Sequence, residues 1–128
     1  MDVTAAIKKA LQKALGELGV QDTKPALEFP ADIAHGDFAT NVAMVYGKEL
    51  KQNPKKLADE IVARLGPIEG VSKTEVAGPG FINFHLAPEY LAWQMRAILD
   101  DTARWGAGTS YANEHVMVEY TDPNPFKA

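Results

Sequence analysis

Val71-Ser72-Lys73-Thr74-Glu75-Val76-Ala77-Gly78-Pro79-Gly80-Phe81-Ile82-Asn83-Phe84-His85-Leu86 is the stretch whose reading decides the fold. Two runs rich in strand-forming residues flank Gly78-Pro79-Gly80, a set of residue types that favours a tight reversal. The pattern predicts two antiparallel strands, Val71–Ala77 and Phe81–Leu86. Alternate residues of a strand share a face. Ile82, Phe84 and Leu86 therefore point to one side, where helices can cover them, and Phe81, Asn83 and His85 point to the other. A ring beside an amide on an open sheet can read a single nucleobase, because the ring stacks and the amide offers a donor and an acceptor. An outward aromatic among polar neighbours is equally an ordinary solvated sheet face, and alternation alone does not choose between the two.

Working outward, residues 3–18 predict a helix. Val3, Ile7, Leu11 and Leu18, with Ala10, Ala14 and Leu15 between them, form one apolar stripe. Lys8, Lys9 and Lys13 fall opposite, and Gly19 suits a left-handed cap. Residues 26–29 are a short strand candidate closed by Pro30. After the polar segment 31–37, Asp37 is a candidate N-cap for a helix from Phe38 to about Leu50, with Phe38, Val42, Val45 and Tyr46 inward. Asn53 and Pro54 open another helix, striped by Leu57, Ile61 and Leu65 and stopped by Gly66. Beyond the hairpin, Ala87-Pro88-Glu89 opens a long helix through Tyr90, Leu91, Met95, Ile98 and Leu99 to Trp105-Gly106. Residues 106–113 read as a linker, and 116–121 as a last strand that begins something new. The expected class is α+β: a small antiparallel sheet covered on one face by about four helices.

The chain has 128 residues, 46% hydrophobic and 23% charged, which suits one soluble globular domain. It lacks cysteine, so disulfides and thiolate metal sites are excluded. His35, His85 and His115 lie far apart without ligand spacing, and no metal is expected. Apolar runs are too short to span a membrane, and Met1-Asp2-Val3 does not open a signal peptide, so a cytoplasmic protein is expected. Thirteen basic against 17 acidic residues give a net charge of −4. That excludes a strong non-specific nucleic-acid binder, and any RNA contact must be local.

Two further segments could carry chemistry. His35-Gly36-Asp37-Phe38-Ala39-Thr40-Asn41 reads as a loop and a capped helix, although its backbone N–H groups could meet a phosphate that Asp37 would oppose. Glu119-Tyr120-Thr121-Asp122-Pro123-Asn124-Pro125-Phe126-Lys127-Ala128 places polar groups after an apolar strand, where α/β sheets bind ligands. No nucleophile with a base, no paired carboxylates and no phosphate-cradling glycine loop is present.

At these segments the chain resembles the arginyl-tRNA synthetases, a class I family. Residues 35–43 are similar to the family's Gly-Asp-aromatic-Ala-(Thr/Ser)-Asn motif, and Gly80-Phe81-Ile82-Asn83-Phe84 to its Gly-Phe-Ile-Asn motif. Residues 118–127 are similar to the segment leading into its His-Ile-Gly-His ATP-binding motif. The three stand in the family's order, so the likeness covers essentially the whole chain. It implies a tRNA-contacting N-terminal domain over residues 1–105, a linker over 106–115, and over 116–128 the first strand of a Rossmann-type catalytic domain. It also implies that Phe81 and Asn83 contact a D-loop nucleotide at the outer corner of the tRNA. Glu119, Asp122 and Asn124 would help bind arginine, and Lys127 would lie near the ATP phosphates. A carboxylate suits a cationic substrate and a lysine suits phosphate. Asp122 departs from the family pattern, which has Ser there in many members.

The whole ligase would attach arginine to its tRNA with ATP and magnesium. The His-Ile-Gly-His motif and the anticodon-binding helices would lie beyond Ala128, and this chain alone is expected to be inactive, monomeric and without a cofactor. Its partners would be tRNA and the remainder of the synthetase, not a membrane. The alternative is a stand-alone protein-interaction domain using the Phe81 face.

Overall fold

A computed structural model describes residues 2–119 of the chain. Helix α1, Val3–Glu17, begins at the N-cap Asp2, whose carboxylate accepts from the Thr4 N–H at 3.0 Å and satisfies one of the donors a helix start leaves unpaired. Val3, Ile7, Leu11, Ala14 and Leu15 are buried, as their spacing predicts. The helix closes in a Schellman motif. Val20 N–H donates to the Leu15 carbonyl at 3.0 Å and Gly19 N–H to that of Gly16 at 3.1 Å. Gly19 takes φ 95° there, a conformation that costs glycine little.

The segment after Asp37 differs from its sequence reading. Phe38–Thr40 is a strand, β1, and the helix that follows, α2, is the short Val42–Gly47 with Asn41 at its N-cap. Asp37 caps no helix. Its N–H donates to the Phe84 carbonyl at 2.9 Å, and its carboxylate accepts from the Leu86 N–H at 2.8 Å. The apolar residues of 38–50 fit a helix by spacing, but pairing with a central strand outweighs that local preference. Starting the helix later also turns Val45 outward, to 54% exposure.

Helix α3, Pro54–Leu65, starts where expected. Asn53 accepts from the N–H groups of Lys55 and Lys56 at 3.0 and 3.4 Å, and Leu57, Ala58 and Ile61 are buried. Strands β2, Val71–Ala77, and β3, Phe81–Leu86, form the expected hairpin, with the Gly80 N–H donating to the Ala77 carbonyl at 3.4 Å. The sheet order is β1-β3-β2 with both pairings antiparallel, so β3 is central. The strand predicted over 26–29 is reduced to one bridge, Glu28 to Ala39. Pro25 and Pro30 bracket it, and proline has no N–H to extend a ladder.

Helices α1, α2 and α3 cover one face of the sheet, and the core joins Ile7, Leu11, Leu57 and Ile61 to Ile82 and Phe84. The fourth helix, α4, is Pro88–Asp100. It ends before the expected Trp105-Gly106 and adds only Tyr90 to the core, whose hydroxyl accepts from the Val3 N–H at 3.4 Å and from the Gln94 amide. Leu91, Met95 and Leu99 are 42, 65 and 69% exposed, so the predicted stripe exists but meets nothing among the described residues. Of the strand predicted over 116–121, residues 116–119 carry no regular structure. An isolated strand has no partner for its backbone groups. Tyr120 and Thr121 lie outside the described residues.

Candidate nucleic-acid interface

The alternation read from β3 holds. Ile82 and Phe84 are fully buried under the helices, while Phe81 and His85 are half-buried on the far face. Asn83 departs from the open face expected of it, being only 2% exposed. The cause is the segment around Glu28. Glu28 N–H donates to the Ala39 carbonyl at 2.8 Å and Ala39 N–H to the Glu28 carbonyl at 2.9 Å, which folds residues 28–31 along the free edge of β1. Between that segment and the turn at Gly78-Pro79 lies a concavity of about 390 Å³, bordered by Glu28, Phe29, Pro30, His35, Ala39, Phe81 and Asn83. Its size falls in the range of small-molecule sites, roughly 300–1,000 Å³. The Asn83 amide opens onto it and has no hydrogen-bond partner among the described residues.

Residues 36–40 build this concavity. Gly36 passes so close to β3 that a Cβ would lie 2.7 Å from the Phe84 carbonyl oxygen, and its φ is +90°. Asp37 then extends the ladder with its carboxylate, and Ala39 supplies the floor. Thr40 is buried, and its hydroxyl donates to the Ala26 carbonyl at 2.7 Å, anchoring the covering segment. The backbone N–H groups once available to a phosphate are engaged: those of His35, Gly36 and Asp37 donate to Asp32, Ile33 and Phe84 carbonyls. The segment therefore shapes a pocket and does not form an anion cradle.

Sequence reasoning missed Glu28, Phe29 and Ala39. Phe29 is 82% exposed and leans on the Phe38 ring with centroids 5.3 Å apart. An exposed phenylalanine between Glu28 and Pro30 is a signal that strand periodicity overlooks.

The charge near the pocket is largely self-compensated. Glu75, opposite Asn83 on β2, bonds Lys73 Nζ at 2.9 Å and His85 Nε2 at 2.9 Å. The Lys73 hydrogen bond first, and that of His85 second, hold the Glu75 carboxyl below its ordinary range. Glu28 has no ion pair among the described residues. Glu119 is exposed and outside any regular element, while Asp122, Asn124 and Lys127 lie outside the described residues. Among the described residues no cluster of His, Asp and Glu could hold a metal ion, and no helix is long and apolar enough to cross a membrane.

A three-stranded antiparallel sheet under helices, with an aromatic and a buried amide in one concavity, defines a small α+β recognition module. Residues 1–86 match the family model described as the arginyl tRNA synthetase N terminal domain, and the chain belongs to that family. The arginine–tRNA ligase of Chlorobium phaeovibrioides is 40% identical over 120 residues, 92% of this chain and 22% of that protein. That of Rhodopseudomonas palustris is 43% identical over 107 residues, 84% of this chain and 18% of that protein. The chain thus spans about a fifth of the length of these relatives. Among solved structures, the arginyl-tRNA synthetase of Thermus thermophilus superposes with a TM-score of 0.62 at 29% identity, over 70% of this chain and 15% of that one. The Plasmodium falciparum enzyme shares the fold, with a TM-score of 0.61 at 20% identity over 75% of this chain and 18% of that one.

Proposed function

We propose that this chain positions tRNA for an arginine–tRNA ligase by taking one unstacked D-loop nucleotide, at the outer corner of the L, into the concavity beside Phe81 and Asn83. The observation that carries this is a buried amide without a partner, facing a base-sized recess beside an aromatic ring. Ring stacking offers about 1–3 kcal/mol, and the amide adds a choice of base edge. Residues 1–105 act as the tRNA-contacting unit and 106–115 as a linker. Residues 116–128 begin the catalytic domain, in which Glu119, Asp122 and Asn124 help bind arginine and Lys127 lies near the ATP phosphates. The whole ligase joins arginine to tRNA with ATP and magnesium in the cytoplasm. This chain alone is monomeric and catalyses nothing, and the exposed stripe of α4 faces the remainder of the synthetase.

Binding by the isolated chain is weak, with a dissociation constant of roughly 0.1 mM or above at physiological salt. In the whole ligase the contact acts by raising effective concentration beside stronger sites. The test is a titration with arginine-acceptor tRNA. Phe81→Ala and Asn83→Ala are expected to abolish measurable binding while circular dichroism stays unchanged. Equal affinity for a tRNA lacking its D-loop would sink the proposal.

A further inference from the structure

We infer that the recess selects a base carrying an exocyclic amino group, with Glu28 as the residue that accepts from it. This rests on the base-binding role proposed above and deepens it by assigning the group that chooses among bases. Glu28, Ala39, Asn83 and Glu75 are successive partners across the edge bridge and the three strands, and directly opposed residues of antiparallel strands project to one face. Glu28 and Asn83 are therefore two strand spacings apart, roughly 9–10 Å between backbones.

The residue between them is Ala39, whose single methyl leaves a gap that a flat ring can enter from the Phe81 side. At the far end of the row Glu75 is occupied by Lys73 and His85. The groups facing the gap are thus one carboxylate without an ion pair and one amide without a partner among the described residues.

A carboxylate only accepts hydrogen bonds, whereas an amide donates and accepts. Adenine, cytosine and guanine each carry an exocyclic amino donor for Glu28. Uracil has carbonyl oxygens in its place, and its one ring donor lies between them. The negative charge of Glu28 also keeps phosphate out, so the nucleotide enters base first. Ala39 belongs to a segment that reads in sequence as a helix start; in the sheet it becomes the floor that keeps the slot empty.

The experiment is an amide-resolved NMR titration of the 128-residue chain with two neutral nucleosides. Adenosine and purine riboside share a ring system and differ in the 6-amino group. Adenosine is expected to shift the Asn83 side-chain amide and the Phe81 signal, and to bind about fivefold or more tightly than purine riboside. Glu28→Ala should bring that ratio near one while the Phe81 shift persists. Glu28→Gln, which keeps a carbonyl acceptor, should retain most of the preference. Ala39→Val, which leaves Glu28, Phe81 and Asn83 in place, should abolish both shifts. A ratio near one in the unaltered protein, or one unchanged by Glu28→Ala, overturns the assignment of Glu28 while base binding stands. If neither nucleoside perturbs Phe81 or Asn83, base binding itself fails, and the assignment with it.

Discussion

Gly36 and Asp37 hold the recognition surface together from one side of the sheet. With φ +90° and the Phe84 carbonyl oxygen 2.7 Å from where a Cβ would sit, Gly36 tolerates no side chain. Gly36→Ala should cost about 1–3 kcal/mol from backbone strain alone, with the steric clash added, read as a lower urea midpoint. An unchanged midpoint would show that the loop relaxes freely. Asp37 gives the Leu86 N–H its acceptor at 2.8 Å, so the acidic residue is structural at this position. A local reading assigns both residues to a loop and a helix cap. Nothing in residues 35–41 alone reveals that their partner is Phe84, far along the chain. The same distance in sequence hid Ala39 and Glu28.

At the scale of elements, those with strong internal signals were legible. Helices α1 and α3 have side-chain caps and complete apolar stripes, and β2 and β3 are joined by a turn of the right residue types. Strand β1 was not, because three residues are too few to display a period of two. The outer face of β2 and β3 makes a pH-dependent prediction. The Glu75 carboxyl is held below its ordinary 4.5 by Lys73 and His85. A depressed carboxyl contributes stability that is present above its unfolded value and lost as pH falls through the folded one. Glu75→Gln should therefore lower the urea midpoint near pH 7, and that difference should shrink as pH falls below about 4.5. Because Lys73 is mostly exposed, the effect should also weaken in high salt. A difference that is constant with pH would show that the ion pairs contribute nothing.

Seen as a whole molecule, the fold is finished on one side and open on another. The helix face of the sheet is sealed by Ile7, Leu11, Leu57 and Ile61 over Ile82 and Phe84, while α4 leaves Leu91, Met95 and Leu99 exposed. Replacing these three by Ser should change the stability of this chain by less than about 0.5 kcal/mol each, the usual range for surface positions, measured by urea unfolding. A loss of several kcal/mol in the triple variant would mean that the stripe is buried in solution.

The sequence by itself determined the α+β class, the hairpin, the caps of α1 and α3, and the two faces of Phe81–Leu86, because each follows from neighbours within a few residues. Tertiary structure alone decided that Asn83 lies buried, that Ala39 floors a recess, and that Glu28 stands across from Asn83. Those relations depend on pairings between segments distant in the chain, where tertiary hydrogen bonds and packing outweigh local preference.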